Sequence, residues 1–247
     1  MAFVTVKFYS ETLGTQAEIN VIIPQGSKES GNEENQKYKC LYLLHGYGDD
    51  HTTWSRNTSI ERYAEKHGIC VVLPHAEKSF YANMKYGPDY YNYIANEVPS
   101  VIRRLFNVSS KREDNFIAGF SMGGYGALKI ALRECDKFAA GAGLSPCADM
   151  NNLSFKDELV PIFGEEITIP NEDDLLYLAD QKANEENRPR LFVAIGTNDF
   201  LYENNIVFRQ KLKNNGYDFT YQEAEGQDHN WQFCDEYIQH ILDWMFK

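Results

Sequence analysis

The residue with the clearest chemical signature is Ser121, because the chain must turn sharply at that point. Ser121 lies at the centre of GFSMG, residues 119–123, which fits the pattern G-x-S-x-G. Apolar, strand-like residues precede the motif at 116–118, and a helix-like run follows it at 125–132, which is the context that this pattern requires. A strand that turns at once into a helix brings the residues two before and two after the serine together, and glycine at both places avoids a clash. We therefore predict that Ser121 projects from the edge of a sheet as a nucleophile.

A carboxylate and an imidazole follow the serine in positions that suit an orienting acid and a general base. The run 191–195 predicts a strand whose end delivers Asp199, and the strand predicted at 218–224 is followed by His229. Because the carboxyl ends of parallel strands meet at one edge of a sheet, both side chains are expected beside Ser121. We predict that His229 takes the proton of the serine, while Asp199 holds the imidazole tautomer and stabilises the imidazolium.

Other acidic and histidine residues compete for these two roles. Asp149 follows the preceding predicted strand and Asp228 adjoins the histidine, so both remain alternatives to Asp199. His45 precedes the serine in the chain and is predicted instead to fix the turn at 46–48. No comparable context surrounds the remaining histidines, which are His51, His67, His75 and His240.

A tetrahedral intermediate on the serine would need two backbone N–H donors for its oxyanion. The amide of Met122 is predicted to be one of them, because it begins the helix behind the serine. The amide of Tyr47 is predicted to be the second, since an apolar strand runs into HGYG there, and Gly48 is the alternative one residue later. The residues predicted to contact the substrate are Gly46, Trp54, Tyr86 and Trp231.

Strand-like and helix-like runs alternate along most of the chain, which predicts one α/β domain over 1–247, with a mostly parallel sheet covered by helices on both faces. Two β-rich runs at 3–9 and 17–23 predict an N-terminal hairpin, and the polar stretch 25–37 predicts a solvated loop. The insertion, by which we mean residues 146–189 between two predicted strands, carries short helical patterns and is predicted to form a small cap.

Two helices carry local signals for where they begin or end. The residues from Thr58 to Glu61 match a capping box, which opens a helix that is predicted to end at Gly68. Pro99 lies inside a helical pattern that runs to Leu105, so we predict a kink or a late helix start at the proline.

Composition narrows the range of partners and cofactors. The 247 residues include 24 basic and 36 acidic side chains, a formal charge of −12, which argues against nucleic acid and anionic lipid as partners. Five widely spaced cysteines without a C-x-x-C pattern predict reduced core residues. The glycine-rich pieces match no nucleotide-binding pattern, and DDH at 49–51 has no further ligand beside it, so neither a cofactor nor a metal is predicted. No signal peptide or membrane-spanning run is visible, which predicts a cytoplasmic protein, and a homo-oligomer is compatible with the sequence.

Four motifs carry a resemblance to a known family: LLHG at 43–46, YGPDYY at 86–91, AGFSMGGYG at 118–126 and DFLY at 199–202. Together they resemble the esterase D-type family of α/β-hydrolases, and in particular the bacterial tributyrin esterases, over nearly the whole chain. The resemblance implies an α/β-hydrolase fold and a serine carboxylesterase for short-chain acyl esters. It also implies a catalytic triad of Ser121, Asp199 and His229, with oxyanion donors at Tyr47 and Met122.

The substrate is less closely defined by this resemblance than the chemistry. Relatives include feruloyl (cinnamoyl) esterases, acetyl esterases of plant polysaccharides such as xylan, and S-formylglutathione hydrolases, which remain alternative activities. An inactive hydrolase fold that only binds a ligand is the alternative from another class. The segment 149–181 is too short and too charged for the broad apolar lid of a lipase. With the aromatic loop at 80–91, it predicts a small acyl site that prefers acetyl to butyryl esters.

Overall fold

A computed structural model describes residues 1–25 and 37–247 of the chain, so the predicted polar loop at 25–37 lies almost wholly outside the described residues. Within the described ranges, eight strands form one sheet in the order β1-β2-β4-β3-β5-β6-β7-β8. The strands are β1 Ala2–Ser10, β2 Thr15–Ile23, β3 Cys40–Leu44, β4 Cys70–Pro74, β5 Asn115–Phe120, β6 Ala140–Leu144, β7 Arg190–Gly196 and β8 Phe219–Ala224.

The sheet is parallel from β4 to β8 and antiparallel at its N-terminal end. β1 pairs antiparallel with β2, and β2 pairs antiparallel with β4, whereas the neighbours β4-β3-β5-β6-β7-β8 are all parallel. This confirms the predicted fold class and the predicted N-terminal hairpin. The parallel pairing also puts the ends of β3, β5, β7 and β8 at one edge of the sheet, where ligands bind in such folds.

Helices cover both faces because the central strands are apolar on both sides. Leu41 and Leu43 of β3 belong to one buried cluster, while Tyr42 and Leu44 belong to the other. The helices are α1 Thr53–Asn57, α2 Ile60–His67, α3 Tyr90–Asn92, α4 Val98–Leu105, α5 Met122–Arg133, α6 Val160–Phe163, α7 Leu175–Gln181, α8 Tyr202–Asn214 and α9 Trp231–Met245. Side chains of α2 and α9 lie in the first cluster, and those of α4, α5 and α8 lie in the second. No helix in the described parts of the chain is long and apolar enough to span a bilayer.

The predicted end of α2 at Gly68 is confirmed, but the predicted capping box is not formed, because the N-cap is Ser59 and it makes no side-chain cap hydrogen bond. α2 begins at Ile60, whose amide donates to the Thr58 hydroxyl at 3.2 Å, and it ends at Gly68, which has a φ of 63°. α4 begins at Val98, so Pro99 lies in its first turn, which agrees with the predicted kink or late start at the proline. A π-helical turn over Tyr93–Glu97 joins α3 to α4, and this wider turn accommodates the missing N–H and the ring of the proline.

The insertion forms short helical turns against the N-terminal half of α5. Besides α6 and α7, it contains 3-10 turns at Met150–Asn152, Lys156–Leu159 and Asn171–Asp173. The Tyr125 hydroxyl of α5 donates to the backbone carbonyl of Asp173 at 2.5 Å. The Lys129 ammonium, fully buried in α5, donates to the Asp173 carboxylate at 2.6 Å. The insertion is therefore attached to the same helix that begins behind Ser121.

Candidate active site

Ser121 occupies the sharp turn between β5 and α5. Its backbone has φ 56° and ψ −117°, a conformation that L side chains rarely adopt and that is typical of functional sites. A Cβ added to Gly119 would lie 2.3 Å from the Gly123 carbonyl oxygen, and one added to Gly123 would lie 2.4 Å from the Leu44 carbonyl oxygen. The Ser121 amide donates to the Leu144 carbonyl at 2.8 Å, which ties the turn to β6. The two glycines are therefore required by close contacts both within the turn and with β3.

The acid and the base predicted from the sequence lie in direct contact. Nδ1 of His229 is 2.8 Å from Oδ2 of Asp199, whose side chain is completely buried. The other carboxylate oxygen of Asp199 accepts a hydrogen bond of 2.8 Å from the Leu201 amide, which fixes its orientation. A carboxylate in this position accepts the Nδ1 proton and leaves Nε2 free as a base.

Of the three candidate acids, only Asp199 forms a hydrogen bond to His229 among the described residues. Asp228 is exposed and Asp149 is buried, but neither forms a hydrogen bond to His229 within the described residues. The Asp149 carboxylate instead accepts from the Asn151 amide at 3.2 Å and from the Asn152 side chain at 2.6 Å. Asp149 therefore stabilises the first turn of the insertion.

Ser121 and His229 open into one cavity of about 450 Å³ at the carboxyl edge of the sheet. In the part of the chain that the structure describes, no hydrogen bond joins the two side chains, and such contacts often tighten only when substrate is bound. The imidazole contacts the rings of Phe120 and Phe200, with centroids 4.5 and 4.7 Å away. These contacts restrict the imidazole to the wall of the cavity that also contains the serine.

A buried thiol lies beside the serine hydroxyl and was not singled out from the sequence. Cys147 lines the cavity together with Ser121. Burial raises the pKa of the Cys147 thiol to about 12, so it stays protonated and does not compete as a nucleophile. All five cysteines are buried and free, as the sequence predicted.

The two backbone amides predicted to bind the oxyanion have no acceptor among the described residues. Met122 is the first residue of α5, so its N–H has no partner within the helix. Tyr47 follows β3 and lines the cavity with Gly46. Among the hydrogen bonds of the described residues, neither the Met122 nor the Tyr47 amide donates to another group of the protein. Tyr47 therefore has an unpaired N–H at the cavity, whereas Met122 does not itself line the cavity.

His45 supports the loop that contains the Tyr47 amide. Its Nε2 accepts from the Ala76 amide at 2.9 Å, so Nδ1 carries the proton and donates to the Gly46 carbonyl at 2.8 Å. Burial lowers the pKa of His45 to about 4, which keeps the ring neutral. The contacts match the structural role that the sequence suggested for this histidine.

Two of the four predicted substrate contacts lie outside the cavity. Gly46 and Trp231 line it, but Trp54 and Tyr86 do not. Trp54 is buried behind Trp231, with ring centroids 4.9 Å apart, because its Nε1 donates to the Leu44 carbonyl at 2.9 Å. Tyr86 is 60% exposed, in a turn whose backbone is bonded to the insertion at Pro161. Trp54 and Tyr86 are therefore not substrate contacts in this cavity, and the prediction for these two residues is wrong.

The remaining walls of the cavity come from segments that were predicted to lie near the site, although their individual side chains were not predicted. Phe80 belongs to the aromatic loop, Phe155 and Glu158 belong to the insertion, and Phe200 follows the acid. Their neighbours gave no signal of which side chains face inward, although Phe200 directly follows Asp199. For a metal, the described residues contain no suitable group of three or more His, Cys, Asp or Glu side chains.

Comparisons with known proteins agree with this geometry. The Esterase family model matches residues 10–244. An acetyl esterase of Caldicellulosiruptor saccharolyticus is 30% identical over 100% of this chain and 99% of its own length. The substrate-bound structure of FphF, a fluorophosphonate-binding serine hydrolase of Staphylococcus aureus, has a TM-score of 0.91 and 37% identity over 100% of this chain and 98% of its own. The S-formylglutathione hydrolase FrmB of Staphylococcus aureus has a TM-score of 0.88 and 37% identity over 100% and 99%. The chain therefore belongs to the Esterase family of α/β-hydrolases and is a serine-type carboxylic ester hydrolase.

Proposed function

We propose that the chain hydrolyses short-chain acyl esters through an acyl-enzyme on Ser121. The observation that carries this proposal is that Ser121 and the Asp199-paired His229 open into one cavity, which also contains the unpaired amide of Tyr47. A nucleophile, its base, the acid that orients the base, and an oxyanion donor are the groups that acyl transfer needs.

The reaction proceeds in two steps, acylation of Ser121 and hydrolysis of the acyl-enzyme, which use the same catalytic groups. Ser121 Oγ attacks the ester carbonyl carbon while His229 Nε2 takes the hydroxyl proton, and the amides of Tyr47 and Met122 bind the oxyanion. As the intermediate collapses, the bond to the alcohol oxygen breaks and the imidazolium gives its proton to the departing alcohol. Water, deprotonated by His229, then attacks the acyl-enzyme and releases the carboxylic acid and the free serine. Asp199 remains ionised and stabilises the imidazolium in both steps.

Aromatic side chains support a limit on the length of the acyl group. Phe80, Phe155 and Trp231 line the cavity, and Phe155 lies in the insertion, which we propose to act as a small cap within a single domain over 1–247. The Phe80 and Phe155 rings are stacked with centroids 6.4 Å apart. An aromatic wall on the acyl side accepts a few methylenes and then resists further ones by overpacking. Acetyl to butyryl esters, including tributyrin, fit this expectation.

A series of p-nitrophenyl esters from acetate through butyrate and octanoate to palmitate tests the proposal. We expect kcat/KM to be highest for acetate or butyrate and to fall at octanoate. Phe155→Ala should move the optimum toward longer chains, whereas Tyr177→Ala, at an exposed ring of the insertion outside the cavity, should not. A rate that keeps rising past octanoate in the unaltered protein would contradict the small acyl site.

Hydrolysis of S-formylglutathione is a second candidate, because FrmB carries that name and is 37% identical over the whole chain. A formyl group would fit the small acyl site. The two candidates differ in the charge of the leaving group, since glutathione has two carboxylates and an acyl ester of a simple alcohol has none. We also propose a cytoplasmic location, supported by five buried free cysteines, which fractionation of the producing cells would test.

A further inference from the structure

The charged side chains that line the cavity are acidic. Asp49 and Glu158 both contribute to the wall, and the lining residues in the described parts of the chain include no Lys or Arg. The only other titratable groups among them are Tyr47, Cys147 and His229. Since the protein as a whole also has a formal charge of −12, no distant excess of positive charge offsets these two carboxylates.

The two carboxylates are held in place by the loop that contains the oxyanion donor. A Cβ added to Gly46 would lie 2.9 Å from Oδ2 of Asp49, and burial raises the pKa of the Asp49 carboxyl above the ordinary value. Glu158 accepts a hydrogen bond from the Tyr47 hydroxyl, which joins the insertion to the same loop. Glu158 therefore cannot rotate away from the cavity without losing a hydrogen bond.

Two cations lie near this arrangement, but neither lines the cavity. The Lys78 ammonium is exposed and lies 4.7 Å from the centroid of the Tyr47 ring. Arg56 favours the charged form of Asp49, although its guanidinium donates to the Thr52 hydroxyl at 3.0 Å. Glu158 is exposed like the two cations, so solvent screens all three charges, but only Asp49 and Glu158 line the cavity and lie closest to a substrate there.

We infer that Asp49 and Glu158 make the site selective for esters with neutral or cationic leaving groups and disfavour anionic ones, with Glu158 as the specificity-determining residue. This inference rests on the proposed function, because it assumes that the leaving group departs through this cavity. An anionic group beside two carboxylates is repelled in both the bound complex and the transition state, which lowers kcat/KM. Thiol peptides with two carboxylates are therefore poor leaving groups here, and simple alcohols or amino alcohols are good ones.

Isosteric pairs of acetyl thioesters separate charge from size. S-acetyl-3-mercaptopropionate is compared with its carboxamide, and acetylthiocholine is compared with its 3,3-dimethylbutyl isostere, with release of the free thiol as the readout. We expect kcat/KM to be roughly tenfold lower for the carboxylate than for the carboxamide. For the second pair, kcat/KM of the cation should equal or exceed that of its neutral isostere. The ratio within each pair should shrink as salt is added.

Substitution of one carboxylate assigns the effect to its position. Glu158→Gln keeps an acceptor for the Tyr47 hydroxyl and should bring the carboxylate to carboxamide ratio closer to one by a few-fold. Asp157→Asn changes the net charge equally at the neighbouring residue, which does not line the cavity, and should leave the ratio unchanged.

The outcomes distinguish a failure of the charge selection from a failure of the proposed function. If Ser121→Ala abolishes hydrolysis of every thioester but the unaltered protein handles both members of each pair equally, the charge selection is wrong and the catalytic proposal stands. If Asp157→Asn changes the ratio as much as Glu158→Gln, the effect belongs to net charge and Glu158 is not the determinant. If Ser121→Ala retains activity, the catalytic proposal itself fails.

Discussion

Acid should destabilise the protein through His45, the neutral histidine beneath the loop that contains Tyr47. The pKa of His45 is about 4, because burial disfavours the charged ring, whereas its ordinary value is 6.5. Above pH 6.5 the ring is neutral in both the folded and the unfolded chain, so it adds no pH dependence. As the pH falls from 6.5 toward 4, the unfolded chain binds a proton that the folded chain does not, and the free energy of unfolding decreases.

The size of this decrease follows from the two pKa values. One pKa unit corresponds to about 1.4 kcal/mol, so the difference between 6.5 and about 4 removes about 3 kcal/mol of stability. Below pH 4 both states are protonated at this residue and its contribution levels off. Such a loss is a large part of the total stability of an ordinary domain.

Urea unfolding at a series of pH values measures the effect when His45→Asn is compared with the unaltered protein. The variant should be less stable near neutral pH by about 1–3 kcal/mol, because it loses a hydrogen bond to Ala76. The free energy of unfolding of the variant should fall less steeply as the pH is lowered. Between pH 6.5 and 4 the difference between the two proteins should therefore change by about 3 kcal/mol in favour of the variant. His240→Asn, at an exposed histidine, is the matched control and should run parallel to the unaltered protein. Parallel curves for His45→Asn as well would refute the neutral, buried state of this ring.

Three further predictions test other parts of the structure by substitution. Lys129→Met leaves the buried Asp173 carboxylate with only the Arg133 guanidinium, 3.9 Å away, and should cost about 3 kcal/mol in thermal or chemical unfolding, and the double variant with Asp173→Leu should recover most of that loss. Gly123→Ala places a Cβ 2.4 Å from a carbonyl oxygen of β3, so we expect both stability and esterase activity to fall, and wild-type values for both would contradict the packing of the turn. Asp199→Asn should reduce kcat by about 10⁴-fold while Asp228→Asn has little effect, and the reverse order would identify the wrong carboxylate as the acid.

The turn at Ser121 was predictable from the sequence because its constraints are local. Gly119 and Gly123 flank the serine, and each is excluded from carrying a side chain by backbone atoms of the turn or of β3. The edge at which Asp199 and His229 lie followed from strand order, since parallel strands end at the same edge, but strand order did not exclude Asp149 or Asp228 as the acid. The central strands of the sheet were also predictable, because strands buried on both faces are continuous apolar runs in the sequence.

The direction of individual aromatic side chains was not predictable in this way. Trp54 lies close to the loop after β3 in the chain, but the need of its indole N–H for an acceptor turns the ring toward the Leu44 carbonyl and away from the cavity. Tyr86 belongs to an aromatic stretch, yet its turn is bonded to the insertion and its ring faces solvent. Composition shows that aromatic rings are abundant, and only the fold decides which of them form a wall.

The buried ion pair of α5 was also invisible in the sequence. Lys129 lies in a helix that is otherwise apolar around it, and its partner Asp173 is 44 residues away in the insertion. The Lys129 ammonium also donates to the carbonyl of Phe80 at 3.1 Å, so one side chain connects α5, the insertion and the aromatic loop. A contact of this kind depends on how an irregular segment folds back, which no period or spacing reveals.

Covalent labelling of Ser121 tests the acyl-enzyme most directly. The purified protein is treated with a fluorophosphonate, digested and sequenced by mass spectrometry, while the Ser121→Ala variant is treated in parallel and assayed with p-nitrophenyl butyrate. We expect a single adduct on Ser121, full loss of activity on labelling, and a kcat for the variant that is lower by about 10⁴–10⁶-fold with the fold unchanged. An adduct on another residue, or near-normal hydrolysis by Ser121→Ala, would contradict the assignment of Ser121 as the nucleophile.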